Sequence, residues 1–110
     1  MSRAITDHVP IEISIDEYHA TRAKDTLLID CRTVEEFEEG HLQGALMLPL
    51  QHITVRLQEL SPYRNVPVFI YCKSGNRSGT LARYLRTIGF LKSQSICGGF
   101  ETWGESNKSC

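Results

Sequence analysis

The run Cys72-Lys73-Ser74-Gly75-Asn76-Arg77-Ser78-Gly79 sets a thiol ahead of a loop of small residues that carries two cations. Val66-Pro67-Val68-Phe69-Ile70-Tyr71 before it reads as a buried strand, and Leu81, Leu85 and Ile88 mark a helix beyond it. A thiol at such a junction is placed for nucleophilic chemistry. Consecutive backbone N–H groups in a short loop converge on an anion, and the N-terminus of the following helix adds its dipole. Lys73 and Arg77 bring full positive charges nearby. Each effect favours thiolate over thiol, so Cys72 is predicted to have a lowered pKa and an activated sulfur. Covalent catalysis by such a sulfur needs no metal and no organic cofactor.

Other chemistry-bearing residues read more quietly. Cys31 and Cys97 also follow strand-like runs, where small thiols are often buried and inert. Asp30 and Arg32 are two apart at a strand end and share a face, a pattern read as an ion pair that positions a loop ahead of the alternative, direct contact with substrate. His41, between Gly40 and Gly44, is read as a hydrogen-bonded turn residue, because a low-pKa thiolate needs no general base. Glu35, Glu36, Glu38 and Glu39 form a solvated face that the dipole of a helix N-terminus favours. No Cys-x-x-Cys pair occurs and no His stands at zinc-ligand spacing from a Cys, so no metal site is expected. Cys110, at the chain end, is assigned no role.

Positioning the thiol requires alternating strands and helices. Pro10–Ile13 predicts a short strand, and Ser14 with Glu17 forms a capping-box signature that starts a helix from Ile15 to Ala23. Thr26–Asp30 is a continuous apolar run, as expected of a strand covered on both faces. Thr33 with Glu36 opens a brief second helix that Gly40 ends. Ala45–Leu48 predicts a third strand, and Leu50, Ile53, Leu57 and Leu60 share one face of a helix. Ser93–Ile96 is a last strand, Gly98-Gly99 a tight turn, and Phe100–Trp103 a short terminal helix. The alternation predicts an α/β fold with a mostly parallel sheet. Ligands of such sheets bind beyond the carboxyl ends of the strands, where Cys31, Cys72 and Cys97 fall.

The chain has 110 residues, which suggests one domain with its core at about 11–104, able to fold without metal or disulfide staples. A net charge of -1 argues against bulk attraction to nucleic acid or an anionic membrane. Neither a signal-like segment nor a run of transmembrane length is present, so a cytoplasmic location with reduced thiols is expected. The charge is uneven. Residues 1–60 hold five basic and eleven acidic side chains, whereas residues 61–100 hold six basic ones and no acid. That asymmetry points to a preference for small anions in the second half.

From about Ser14 to Trp103 the chain resembles the single-domain rhodaneses, which are sulfurtransferases. The resemblance rests on Leu28-Ile29-Asp30-Cys31-Arg32 with Glu35-Glu36-Phe37, then Gly40-His41-Leu42-Gln43-Gly44-Ala45. It continues through Tyr71-Cys72-Lys73-Ser74-Gly75-Asn76-Arg77-Ser78 and closes with Gly98-Gly99 before Trp103. It implies a rhodanese-like, five-stranded, mostly parallel sheet flanked by helices, with the active loop after the fourth strand. It also implies that Cys72 carries sulfur as a persulfide and that Lys73, Ser74, Gly75, Asn76 and Arg77 wrap around it. The implied partners are a small anionic donor such as thiosulfate and an acceptor such as cyanide or a thiol, including a protein thiol. Lys73 and Arg77 would orient the donor, or Arg77 would brace the loop. If Cys31 or Cys97 approaches Cys72, either becomes able to resolve the persulfide as an internal disulfide.

Two other classes compete. Phosphatases and arsenate reductases of related fold also set a thiolate and an arginine around an oxyanion, with a longer spacing than the four residues between Cys72 and Arg77. The shorter loop suits a single sulfur better than a tetrahedral phosphate. A non-catalytic docking or regulatory module is the other class, and such modules commonly lack the nucleophile that this chain keeps. A persulfide relay to a protein acceptor is the variant of that class consistent with Cys72.

Overall fold

A computed structural model describes residues 9–21 and 25–102 of the chain. The two capping boxes form as their spacing predicts. Glu17 N–H donates to Ser14 Oγ at 3.0 Å while Ser14 N–H donates to Glu17 Oε1 at 3.1 Å, so the chain turns from β1 (Glu12–Ile13) into α1 (Ile15–Thr21). The expected continuation of α1 to Ala23, like Trp103 and Cys110, lies outside the described residues. After β2 (Leu27–Asp30), Thr33 and Glu36 exchange the same pair of bonds at the start of α2 (Val34–Glu39).

The helix expected from Leu50, Ile53, Leu57 and Leu60 is not one α-helix. After β3 (Leu46–Met47) the chain forms a 3-10 turn at Leu50–His52, a single α-turn α3 (Ile53–Arg56), and a 3-10 stretch at Leu57–Tyr63. Pro62 inside the last segment has no N–H with which to extend an α-ladder. Arg56 also ties the α-turn sideways, donating to the Met47 carbonyl at 2.7 Å and to Glu59 at 2.8 and 2.9 Å. The apolar face survives the change, with Ile53 and Leu60 buried. Then follow β4 (Val68–Tyr71), α4 (Asn76–Thr87), β5 (Ser93–Ile96) and a 3-10 turn at Phe100–Thr102.

The five strands form one parallel sheet in the order β1-β5-β4-β2-β3, which puts β4 at its centre. Successive side chains of a strand point to opposite faces, so the central strands feed two cores. Ile29, Val68 and Ile70 meet Leu81, Ala82 and Leu85 of α4 on one face. Phe69, Tyr71 and Ile96 meet Ile15 and Tyr18 of α1 on the other. All four residues of β4 are buried, which explains its unbroken apolar run. β5 is buried too despite its polar sequence, because Ser93 Oγ reaches the Ala82 and Phe90 carbonyls and Ser95 Oγ lies 2.7 Å from Ser78 Oγ. Among the described residues no helix is long and apolar enough to cross a membrane.

Candidate active site

Cys72 is the first residue beyond β4, and its loop curls back over its own sulfur. Gly75 N–H donates to Cys72 Sγ at 3.0 Å and Ser78 N–H does so at 3.4 Å, with Ser78 Oγ also 3.4 Å away. Gly75 makes this possible. It precedes α4 with φ of 112°, in the left-handed region that other residues rarely adopt, and so turns its N–H inward while starting the helix. Ser78, in the first turn of α4, is fully buried and rests on buried Ser95 of β5. Neither serine was among the predicted site residues. The residues predicted to wrap around Cys72 stop at Arg77, one short of Ser78, and Ser95 enters only through the pairing of β4 with β5. The position of Ser78 in the first helical turn was the available signal.

The structure also places Cys31 against Cys72. Both thiols are free and both are 1% exposed. The Cys31 thiol hydrogen-bonds the Cys72 sulfur, and this is the main reason that the Cys72 pKa is lowered to about 4, working against burial with help from Ser78 and the Gly75 N–H. The same bond, burial and the neighbouring Cys72 charge push the Cys31 thiol far upward, so the pair holds one proton and Cys31 keeps it. Cys72 is therefore a thiolate as the sequence predicts, but the leading cause is a cysteine on the adjacent strand rather than the flanking cations. Cys97, partly buried beside the Gly98-Gly99 turn, is disulfide-bonded. This corrects the expectation of a reduced thiol there and leaves Cys31 as the cysteine beside Cys72.

The loop residues sort by exposure. Lys73, Ser74 and Asn76 are exposed and Gly75 is partly buried. Arg77 pairs with Glu36 of α2, at 3.0 and 3.3 Å. That pairing leads the causes that hold the Glu36 carboxyl down at about 2. Arg77 thus braces the loop against α2, one of the two roles that its position allowed.

Asp30 and Arg32 lie on the opposite face of the sheet from Cys72. Arg32 grips both Asp30 oxygens at 2.8 to 3.2 Å and donates to the Gly40 carbonyl at 2.6 Å. Tyr71 O–H donates to Asp30 Oδ2 at 2.7 Å and accepts from Leu42 N–H at 3.0 Å. The segment around His41 is thereby clamped to the ends of β2 and β4. His41 itself stacks on Phe37 at 3.6 Å with Nδ1 2.9 Å from the Phe37 carbonyl, which fits its reading as a turn residue.

Gly98 and Gly99 complete the site from behind. Their turn lets Phe100 N–H donate to the Cys72 carbonyl at 2.8 Å and Glu101 N–H donate to that of Lys73 at 2.9 Å. A cleft of about 390 Å³ opens beside the loop, with Lys73, Arg32 and Phe100 in its wall together with Glu36, Glu39 and Glu101. The acidic part of the chain therefore does come to the basic loop. Among the described residues no group of three or more His, Cys, Asp or Glu is placed to hold a metal ion.

Residues 14–106 match the profile of the Rhodanese-like domain. The protein YqhL of Bacillus subtilis is 39% identical over 82 residues, covering 74% of this chain and 64% of YqhL, so the chain spans less than two-thirds of that relative. The thiosulfate sulfurtransferase GlpE of Coxiella burnetii is 33% identical over 91 residues, 81% of each chain. The crystal structure of a rhodanese-like domain protein from Staphylococcus aureus superposes with a TM-score of 0.75 at 28% identity, covering 89% of this chain and 98% of that one. A profile matched over most of the length, and a sulfurtransferase aligned over four-fifths of both chains, leave one conclusion: the chain belongs to the rhodanese-like sulfurtransferase family.

Proposed function

We propose that the protein moves a sulfane sulfur from a small anionic donor such as thiosulfate to a cyanide or thiol acceptor, by way of a persulfide on Cys72. The observation that carries this reading is the cradled Cys72 thiolate, under the Gly75 and Ser78 N–H groups with its pKa near 4. Cys72 Sγ attacks the outer sulfur of the donor, the donor's S–S bond breaks, and sulfite leaves with the electron pair. The persulfide anion that remains lies within the loop of Lys73, Ser74, Gly75, Asn76 and Arg77, whose N–H groups stabilise it as an oxyanion hole stabilises oxygen. Lys73, exposed at the cleft wall, attracts the donor, and Asp30 with Arg32 supports the loop from the far face. The acceptor then attacks the outer sulfur and Cys72 is regenerated as thiolate.

Intact-mass measurement after mixing with thiosulfate tests the scheme. The wild type gains one sulfur atom and then loses it to cyanide as thiocyanate, while Cys72→Ser gains none. Equal gain by both, or no gain by either, refutes the proposal.

A further inference from the structure

Transfer from donor to acceptor leaves Cys31 without a chemical step of its own, yet the fold sets it against the nucleophile. β2 and β4 pair in register from Leu27 with Val68 to Asp30 with Tyr71. The ladder runs one step further, with Cys31 N–H donating to the Tyr71 carbonyl at 3.0 Å. Cys31 and Cys72 are the next pair in that register, on the face shared with Ile29 and Ile70. Neighbouring strands lie about 4.8 Å apart, within the roughly 4.4–6.8 Å Cα separation of a disulfide. Both backbones are pinned, since Leu50 N–H donates to the Cys31 carbonyl at 3.2 Å and Phe100 N–H to that of Cys72 at 2.8 Å. Both side chains lie in the same buried cluster on that face of the sheet, so the two sulfurs are neighbours.

We propose that Cys31 resolves the Cys72 persulfide, releasing hydrosulfide and leaving a Cys31–Cys72 disulfide. This rests on the sulfurtransferase reading above. The Cys31 sulfur attacks Cys72 Sγ, the bond from Cys72 to the outer sulfur breaks, and the Cys31 proton passes to the departing sulfur. The cysteine pair is oxidised by two electrons and the sulfane sulfur is reduced to sulfide, so no outside oxidant is needed. A dithiol reductant then reopens the pair.

The resting enzyme is protected from this reaction. There the Cys72 charge holds the proton on Cys31. Persulfidation moves that charge one atom outward and removes the hydrogen bond that held it. A second thiol held at the register position beside Cys72 reacts without a bimolecular encounter, which favours the internal attack. When acceptor is scarce the protein thus becomes a sulfide-releasing, dithiol-dependent enzyme.

The test loads wild type and Cys31→Ala with thiosulfate at alkaline pH, removes the donor, and follows intact mass and free sulfide without acceptor. Wild type is expected to lose the added sulfur, to finish two hydrogens lighter than the starting protein with its Cys97 disulfide intact, and to release one sulfide per chain. Its peptide map then joins Cys31 to Cys72, a readout that requires no variant. Cys31→Ala keeps its added sulfur at least about ten times longer. If both proteins load and hold sulfur equally long with no cross-linked peptide, this inference is overturned and the sulfurtransferase reading stands. If neither loads, both are overturned.

Discussion

At the residue scale the candidate reactive unit is a pair of neighbouring cysteines whose pKa values are driven apart, Cys72 downward and Cys31 upward. The charge rests on Cys72 because that sulfur receives Cys31, Ser78 and the Gly75 N–H, while for Cys31 the neighbouring Cys72 charge and burial outweigh the pull of Arg77. The sign of the pH dependence follows. A thiolate forms as pH rises through its pKa, so alkylation of Cys72 by iodoacetamide should climb through about pH 4 and stay level to neutrality, far below an ordinary thiol with a value of 9.0. Ser78→Ala removes one stabilising partner and should shift that rise to higher pH. Alkylation rates measured from acid to neutral pH, with intact-mass detection, check both statements, and an unshifted profile would remove Ser78 from the site. Cys72 and its loop were legible in the sequence because their chemistry is local: strand, thiol, small residues and helix start are contiguous. Cys31 was visible only as one thiol among several, for nothing in a linear sequence says which strand lies beside which.

The elements act as supports reaching the loop from three directions. α2 holds Arg77 through Glu36, β5 backs Ser78 through Ser95, and the Gly98-Gly99 turn docks on the carbonyls of Cys72 and Lys73. The turn is the least tolerant of these. Gly99 has φ of 59°, and a Cβ there would lie 2.7 Å from the Lys73 carbonyl carbon and closer still to the Cys72 carbonyl oxygen. Gly99→Ala should therefore cost about 2–4 kcal/mol, from the left-handed backbone and the collision together, and should slow sulfur uptake by moving Cys72. Thermal melts read with sulfur loading check this; an unchanged melting temperature and rate would show that the turn does not brace the loop. The capping boxes, the strand positions and this turn all followed from short-range rules. The broken α3 region did not, because an apolar spacing near 3.6 residues is equally served by successive tight turns that keep the same face inward.

Across the whole molecule, half of the six cations in the basic second half prove to be structural. Arg64 reaches the Ile88 carbonyl and stacks on Phe90, Arg86 ties Ser93 to Pro10, and Arg77 is paired with Glu36. Of the three that remain, Lys73 is the one at the Cys72 loop, in the wall of a cleft that Glu36, Glu39 and Glu101 also line. Lys73→Gln should raise the KM for thiosulfate about threefold to fivefold, in keeping with an exposed charge worth under about 1 kcal/mol. Arg83→Gln, exposed on α4, should leave it unchanged. Steady-state kinetics on both variants, repeated at higher salt, decide the matter, and equal effects would return the anion preference to the general field. The sequence by itself determined the α/β class, the caps and the candidate nucleophile with its loop, because each depends on neighbours a few residues apart. Only the tertiary structure decided that Cys31 lies beside Cys72, that Arg77 belongs to Glu36, and that Ser95 stands under Ser78. The physical reason is the strand order. Burial on both faces sets β4 between β2 and β5, and parallel pairing joins side chains that are distant in sequence, 41 residues apart in the case of Glu36 and Arg77.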